Sequence, residues 1–347
     1  STFKTRGPNS TCTAAKVRFR KNNRNSPKRS FFARNGVLHI DPQFSLWAPG
    51  WASLLMVVLY GLLVVIRSVK VKRAVSSIQH RIMVTGTRGK SGTVRLIHAA
   101  LHGANYLAYA KITGTTAVEI DTDGVETETL RFGSNGVPEM RDSLLRARKQ
   151  SAKFGIFECM AVSPALIELV QKNILKAETV IIPTIRLDHL EDEGVTELQI
   201  GQAIIKSTGK PKHIITGVTQ PDIIAFFKAY CLANDIKLFL VKPAPTAKRV
   251  NGHHPVNQAL AIEVGKLYGA TVSEMYAGLE NATYEPETET PRYLPATIVS
   301  PSQARVALLD LGGANDPESS AEAIQSITKT SIYEHEWIPV LINHWDR

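Results

Sequence analysis

Cysteine is scarce in this chain. Cys12, Cys159 and Cys231 are scattered and have no CxxC spacing. That argues against a disulfide framework or a cysteine-based zinc site, and a reducing compartment is the simpler setting. Internal repeats and long low-complexity tracts are also missing. Charge is missing over one stretch in particular: residues 43–66 carry no charged side chain. Acidic balance is lacking only locally. The net charge is +10, but positions 4 to 34 hold ten Lys and Arg against the single acid Asp41 in the first 44 residues, and the remainder is nearly neutral. The basic excess therefore does not indicate a nucleic-acid surface, and no nucleic-acid partner is expected. With 347 residues, 44% hydrophobic and 21% charged, most of the chain should fold around one large core or two smaller ones.

The uncharged stretch is also apolar. LWAPGWASLLMVVLYGLLVVI, residues 46–66, is long enough to cross a hydrocarbon core of about 30 Å. Trp47 and Trp51 stand where an interfacial aromatic belt would lie, and Arg67, Lys70, Lys72 and Arg73 end the span near Ile66. The length and the abrupt basic border disfavour a buried core helix. A run longer than a typical signal-peptide core, with no small-residue cleavage site after it, disfavours a cleaved signal peptide. The downstream basic cluster is the closer of the two flanks, which favours a cytosolic C-terminal side. Residues 1–44, rich in Ser, Asn, Arg and Lys, read as a disordered tail suited to anionic lipid head groups; a transit peptide has similar composition.

RIMVTGTRGKSG, residues 81–92, has the order strand, glycine-rich turn, helix that makes a phosphate-binding loop credible. Residues Thr85, Gly86, Thr87, Arg88, Gly89, Lys90, Ser91 and Gly92 would hold ATP. Backbone N–H groups and the positive helix end would take the phosphates, Lys90 would neutralise the β/γ charge, and the Ser91 hydroxyl would bind Mg²⁺. The bland alternative is a glycine-rich turn with a solvated lysine. FGIFE, residues 154–158, is an apolar strand ending in Glu158. In open α/β sheets ligands bind at the carboxyl ends of strands, so Glu158 is placed to reach the same Mg²⁺ as Ser91. A third apolar run, from residue 178, ends in Arg186, Asp188 and His189, where a neutral imidazole beside carboxylates suits a metal ligand.

TGTRGKSGTVRLI, AKITGT, ECMAVSP, LDHLEDEG and ANDPES, in that order, resemble the ligase subunit of bacterial poly-γ-glutamate synthase. That family is similar to the Mur ligases and folylpolyglutamate synthase. Val84 replaces the first glycine of the usual GxxxxGK[ST] loop, and TGTxGK[ST] is the form seen in Mur ligases. The resemblance covers about residues 45–347. It implies that Lys90 contacts phosphate and that Ser91, Glu158 and His189 organise Mg²⁺. It sets Lys111 and Thr113 in a substrate-facing loop, Asn257 against adenine and Arg292 near the ATP phosphates. Arg186 is a further candidate for a glutamate carboxylate. The sequence departs from the pattern in two places. No lysine falls at the spacing of the carbamylated lysine of many Mur ligases, so that site is not expected. The family also continues for most of another small domain beyond the final INHWDR, which implies a truncated product or a partial gene product.

The expected organisation is a basic tail (1–44), a transmembrane helix (45–66), a central ATP-binding domain of Mur-ligase type with a largely parallel sheet (67–285) and a partial C-terminal Rossmann-like domain (290–347). Candidate strands are 81–85, 106–111, 154–158, 179–184, 212–216 and 236–241, followed by 305–310 and WIPVLI; residues 281–295 read as a linker. The resemblance implies an ATP-dependent amide ligase that joins glutamate to a growing poly-γ-glutamate chain through an acyl phosphate. It also implies small membrane partner subunits. Two rival classes stay open: a membrane-bound P-loop ATPase or kinase, and a non-catalytic nucleotide-binding assembly subunit.

Overall fold

The computed structural model describes residues 42–114, 117–129, 136–161, 163–187, 194–242, 253–282, 291–294 and 306–309. The chain divides into a first unit, Ser1–Leu59, and a second, Tyr60–Arg347. A single helix, α1 (Pro42–Ser77), begins in the first and ends in the second. Its stretch Gly50–Ser77 is long and apolar enough to cross a membrane, by length and composition. The helix runs on past Ile66 because its last turns have a stripe to bury. Val71 and Ala74, with Ile78 just past the end of the helix, are three and four residues apart and lie in the core.

The main sheet has eight strands: β1 (His80–Val84), β2 (Ala108–Ile112), β3 (Val118–Ile120), β4 (Glu126–Glu128), β5 (Phe154–Glu158), β6 (Thr179–Ile182), β7 (His213–Thr216) and β8 (Lys237–Leu240). Their order is β4-β3-β2-β5-β1-β6-β7-β8. From β2 to β8 neighbouring strands are parallel, and β3 and β4 add an antiparallel edge. The strands β1, β5 and β6 read as near-continuous apolar runs because both faces are covered. One face packs α2 (Lys90–Gly103), Pro255–Leu267 and Val272–Leu279 through Val94, Ile97, Leu101, Leu260 and Met275. The other packs α3 (Val137–Lys149), Pro164–Leu169 with its π-helical continuation Val170–Leu175, Glu197–Ser207 and Pro221–Ala233.

The β3–β4 hairpin was not expected from the sequence. Its strands are three residues long and charged, and it is closed by Asp121, whose Oδ1 accepts the N–H groups of Asp123 (3.0 Å) and Val125 (2.8 Å), with Gly124 at φ +83°. The linker expectation needs a correction. Pro291–Leu294, within the segment read as linker, is β9, and it pairs antiparallel with β10 (Val306–Leu309). Four residues are too few to show a period, and backbone hydrogen bonding supplies what the pattern could not. The expected strand 305–310 is β10, while the helix and WIPVLI strand expected after it lie outside the described residues.

β1 lies between β5 and β6, and the chain leaves it to form β2 on one side before returning to β6 on the other. The carboxyl end of β1 is thus the place where the order reverses, the position at which α/β sheets take ligands.

Candidate active site

Three segments are tied together at that end. The loop after β1 begins at buried Thr85, whose N–H donates to Ile181 O (2.9 Å). Gly86 sits at φ +129°, and a Cβ there would stand 3.0 Å from Thr184 O. The Thr87 N–H (3.2 Å) and hydroxyl (3.3 Å) both donate to that same carbonyl, and the hydroxyl accepts the Arg186 N–H (2.9 Å). The Thr184 hydroxyl donates to Arg88 O (3.1 Å). The phosphate-type loop is therefore stapled to the segment after β6 that carries Arg186.

Helix α2 starts after Gly89, a left-handed N-cap (φ 78°, ψ 7°). It has no side chain to cap the helix, so the first-turn N–H groups keep no intrahelical or capping partner and suit the oxygens of an anion. The Lys90 ammonium folds back to donate to Gly86 O (2.7 Å) and Thr87 O (2.9 Å), which holds its charge over the loop. Asn257, 8% exposed in the first turn of Pro255–Leu267, packs against this turn. Its Oδ1 would stand 3.0 Å from a Cβ at Gly89, and its Nδ2 3.3 Å from one at Gly92. The preceding His254 caps its helix, the ring accepting the Val256 N–H (3.3 Å).

Ser91 and Glu158 meet. The Ser91 hydroxyl lies 3.2 Å from both carboxylate oxygens of Glu158, sharing one proton between them. Glu158 is 3% exposed and also accepts the Thr113 N–H at 2.8 Å. Gly114 completes the contact, since a Cβ there would lie 2.7 Å from Ser91 Oγ. The ends of β1, β5 and β2 thus present a hydroxyl and a carboxylate side by side, next to a lysine and a helix N-terminus.

The sequence candidates fall into four groups. Thr85 to Gly92, Glu158, Thr113, Arg186 and Asn257 are brought together. Lys111 is not open to the site: it is wholly buried, with Nζ 2.6 Å from Glu139 Oε1 and 3.0 Å from Thr129 Oγ1. Arg292 lies on β9 opposite Leu308. Asp188 and His189 lie outside the described residues. Sequence reasoning missed the Thr87–Thr184 staple and the role of the Thr113 N–H. Among the described residues there is no group of three or more His, Cys, Asp or Glu side chains that could hold a metal ion.

Residues 84–210 match the Mur ligase middle domain. PGA synthase CapB of Bacillus subtilis is 26% identical over 242 residues, covering 67% of this chain and 59% of that protein. Capsule biosynthesis protein CapB of Bacillus anthracis is 25% identical over 222 residues, covering 62% and 47%. The chain thus spans about half the length of these relatives. Among solved structures, an FPGS–AMPPCP–folate complex is similar with a TM-score of 0.56 at 15% identity, covering 77% of this chain and 76% of that one. A bifunctional folylpolyglutamate synthase/dihydrofolate synthase from Yersinia pestis, complexed with AMPPNP and Mn ion, gives 0.52 at 16%, covering 76% and 70%. These likenesses show a shared fold. Residues 84–210 thus carry the Mur ligase middle domain, and over about two thirds of its length the chain is similar to the two CapB proteins.

Proposed function

We propose that the chain is an ATP-dependent amide ligase that extends poly-γ-glutamate. The observation that carries this reading is the Ser91–Glu158 pair held by the Thr113 N–H beside the Lys90 loop. A hydroxyl and a carboxylate are hard oxygen donors, and Mg²⁺ characteristically takes one or two protein oxygens together with substrate phosphates and waters. The pair therefore fits Mg²⁺·ATP without a larger protein cage. His189 is a third member of that set in this reading, and Arg292 reaches the phosphates.

The chemistry needs little from the protein beyond position and charge. A carboxylate is a poor electrophile because its oxygen leaves badly. Transfer of the γ-phosphoryl group to a glutamate γ-carboxylate forms an acyl phosphate and ADP. Attack by the amino group of another glutamate then forms the amide and releases phosphate and a proton. Lys90 and the α2 N-terminus offset the phosphate charge as the anionic substrate approaches. Asn257 faces the adenine side, and Thr113 and Arg186 face the acceptor. Mg²⁺, when bound, supplies further charge neutralisation. The apolar stretch of α1 anchors the protein as a single span with the ATP site on the cytoplasmic side, in company with small membrane subunits. The names of the CapB relatives support the polymer, and the folylpolyglutamate synthase fold supports glutamate as the unit.

The test is phosphate release by the full chain from Mg²⁺·ATP, with and without L- or D-glutamate, and with hydroxylamine to trap an acyl phosphate. Glutamate-dependent release with hydroxamate formation, abolished in Lys90→Ala, is expected. Release that ignores glutamate would favour a P-loop ATPase, and binding without turnover a nucleotide-binding assembly subunit. Full activity in Lys90→Ala would overturn the site assignment.

A further inference from the structure

Lys111 looks like a substrate residue in the sequence, yet none of its surface is exposed. It sits on β2 among charges of both signs. Its Nζ lies 2.6 Å from Glu139 Oε1 in the first turn of α3, and 3.8 Å from Glu119 Oε1, directly opposite on β3. It also donates to Thr129 Oγ1 at 3.0 Å. Glu119 Oε1 in turn accepts the Ser143 hydroxyl (2.8 Å) and pairs with the Arg146 guanidinium, both on α3. Two bases and two acids are therefore set between the sheet edge and one helix. A buried ionic cluster of this kind is weak evidence for stability, since well-packed apolar residues can do as well or better. What such a cluster does supply is one geometry, because each charge has an assigned partner.

That geometry lies next to the site. Two residues beyond Lys111, about 7 Å along the strand, the Thr113 N–H donates to Glu158, and Gly114 faces Ser91 with no room for a Cβ. We propose that Lys111 is a positioning residue for the metal end of the nucleotide site. By tying β2 to α3 and β3, it holds Thr113 and Gly114 where they orient Glu158 and Ser91 toward one divalent cation. The proposal rests on the reading of Ser91 and Glu158 as the Mg²⁺ side of the site.

The experiment is a Mn²⁺ titration of the full chain by electron paramagnetic resonance, with AMPPNP present, alongside thermal melting. The variants are Lys111→Met, which keeps most of the stem and removes the charge, and Glu139→Gln, which leaves Lys111 its Thr129 and Glu119 partners. Leu144→Ala, a buried cut in the same helix, is the control for general loosening. Lys111→Met should raise the Mn²⁺ concentration at half-saturation about tenfold or more, the size expected when a group orienting metal ligands is lost. Glu139→Gln should shift it in the same direction by less. Leu144→Ala should lower the melting temperature and leave the Mn²⁺ midpoint unchanged. Variants that melt lower but bind Mn²⁺ like wild type would overturn the role of Lys111 while leaving the site reading intact. If Lys111→Met does not fold, Glu139→Gln decides: a wild-type midpoint overturns the proposal. A wild-type chain that binds no Mn²⁺ with AMPPNP would overturn the site reading, and this proposal with it.

Discussion

Gly114→Ala tests the contact between β2 and the phosphate loop without touching a charged group. Gly114 does not sit in the left-handed region, so alanine brings no backbone strain of its own. Its methyl group would instead arrive 2.7 Å from Ser91 Oγ, where ordinary contact begins at 3.4 Å. A gap of about 0.7 Å must open. Either Ser91 turns off Glu158, or the end of β2 retreats and takes the Thr113 N–H with it. Each route loses a hydrogen bond to a charged acceptor, which is worth roughly 1.5–3 kcal/mol. At about 1.4 kcal/mol per decade, nucleotide binding that depends on Mg²⁺ should weaken about 10- to 100-fold. The melting temperature should also fall by a few degrees, because the same hydrogen bond is lost from the chain without nucleotide. The assay is ATP turnover against Mg²⁺ concentration for Gly114→Ala, Ser91→Ala and the double variant. If both single changes act through the same hydroxyl, the double variant should be no worse than the worse single one. A wild-type Mg²⁺ dependence in Gly114→Ala, or additive losses in the double variant, would refute the contact.

Two predictions concern stability. His98 Nε2 lies 3.0 Å from both Ala108 O and Asp121 O. Burial holds its pKa below the usual histidine value, with the Asp121 carbonyl opposing. Because the unfolded value near 6.5 lies above the folded one, the unfolded chain takes up the proton first. The stability from the neutral ring is present above about pH 6.5 and is lost as pH falls through the folded value. Melts from pH 8 to 5 should fall less steeply in His98→Gln than in wild type, and equal slopes would count against it. Gly278→Ala would put a Cβ 2.0 Å from Ala99 O, where Val272–Leu279 crosses α2. The strain should cost about 2 kcal/mol or more and several degrees of melting temperature. A melt within one degree of wild type would deny the close crossing.

The parallel strands were legible because buried strands read as apolar runs, and each expected strand from β1 to β8 in that set appears within a few residues. The β3–β4 hairpin was not, because VEI and ETE carry three glutamates and their stability lies in pairing with β2. Ser91 and Glu158 were legible as types at strand ends. Thr113 was harder to place, since its part is played by a backbone N–H that any non-proline residue could supply. Lys111 misleads for a definite reason. Alternation sets it on the Tyr109 side of β2, facing α3, whereas the family resemblance set it in a substrate-facing loop. Asn257 was visible only through family resemblance, since its contact with Gly89 and Gly92 joins segments far apart in sequence.

The crossing at Gly278 also limits how α2 can move. A Cβ at Gly103 would lie 2.6 Å from Glu274 O and 2.7 Å from Gly278 N, so two backbones touch there with no layer of side chains to give way. The helix is about 21 Å long, and a tilt of 5° about that crossing would swing its loop end by on the order of 2 Å. The pivot is hard, and Asn257 blocks the other end. On the proposed reading of the site, adjustment to a bound nucleotide would fall to rotations within residues 85–89 and to the Lys90 side chain, which would exchange its two carbonyl partners for phosphate oxygens. Such motion is local and fast, on a side-chain timescale, and does not require the sheet or its helices to shift.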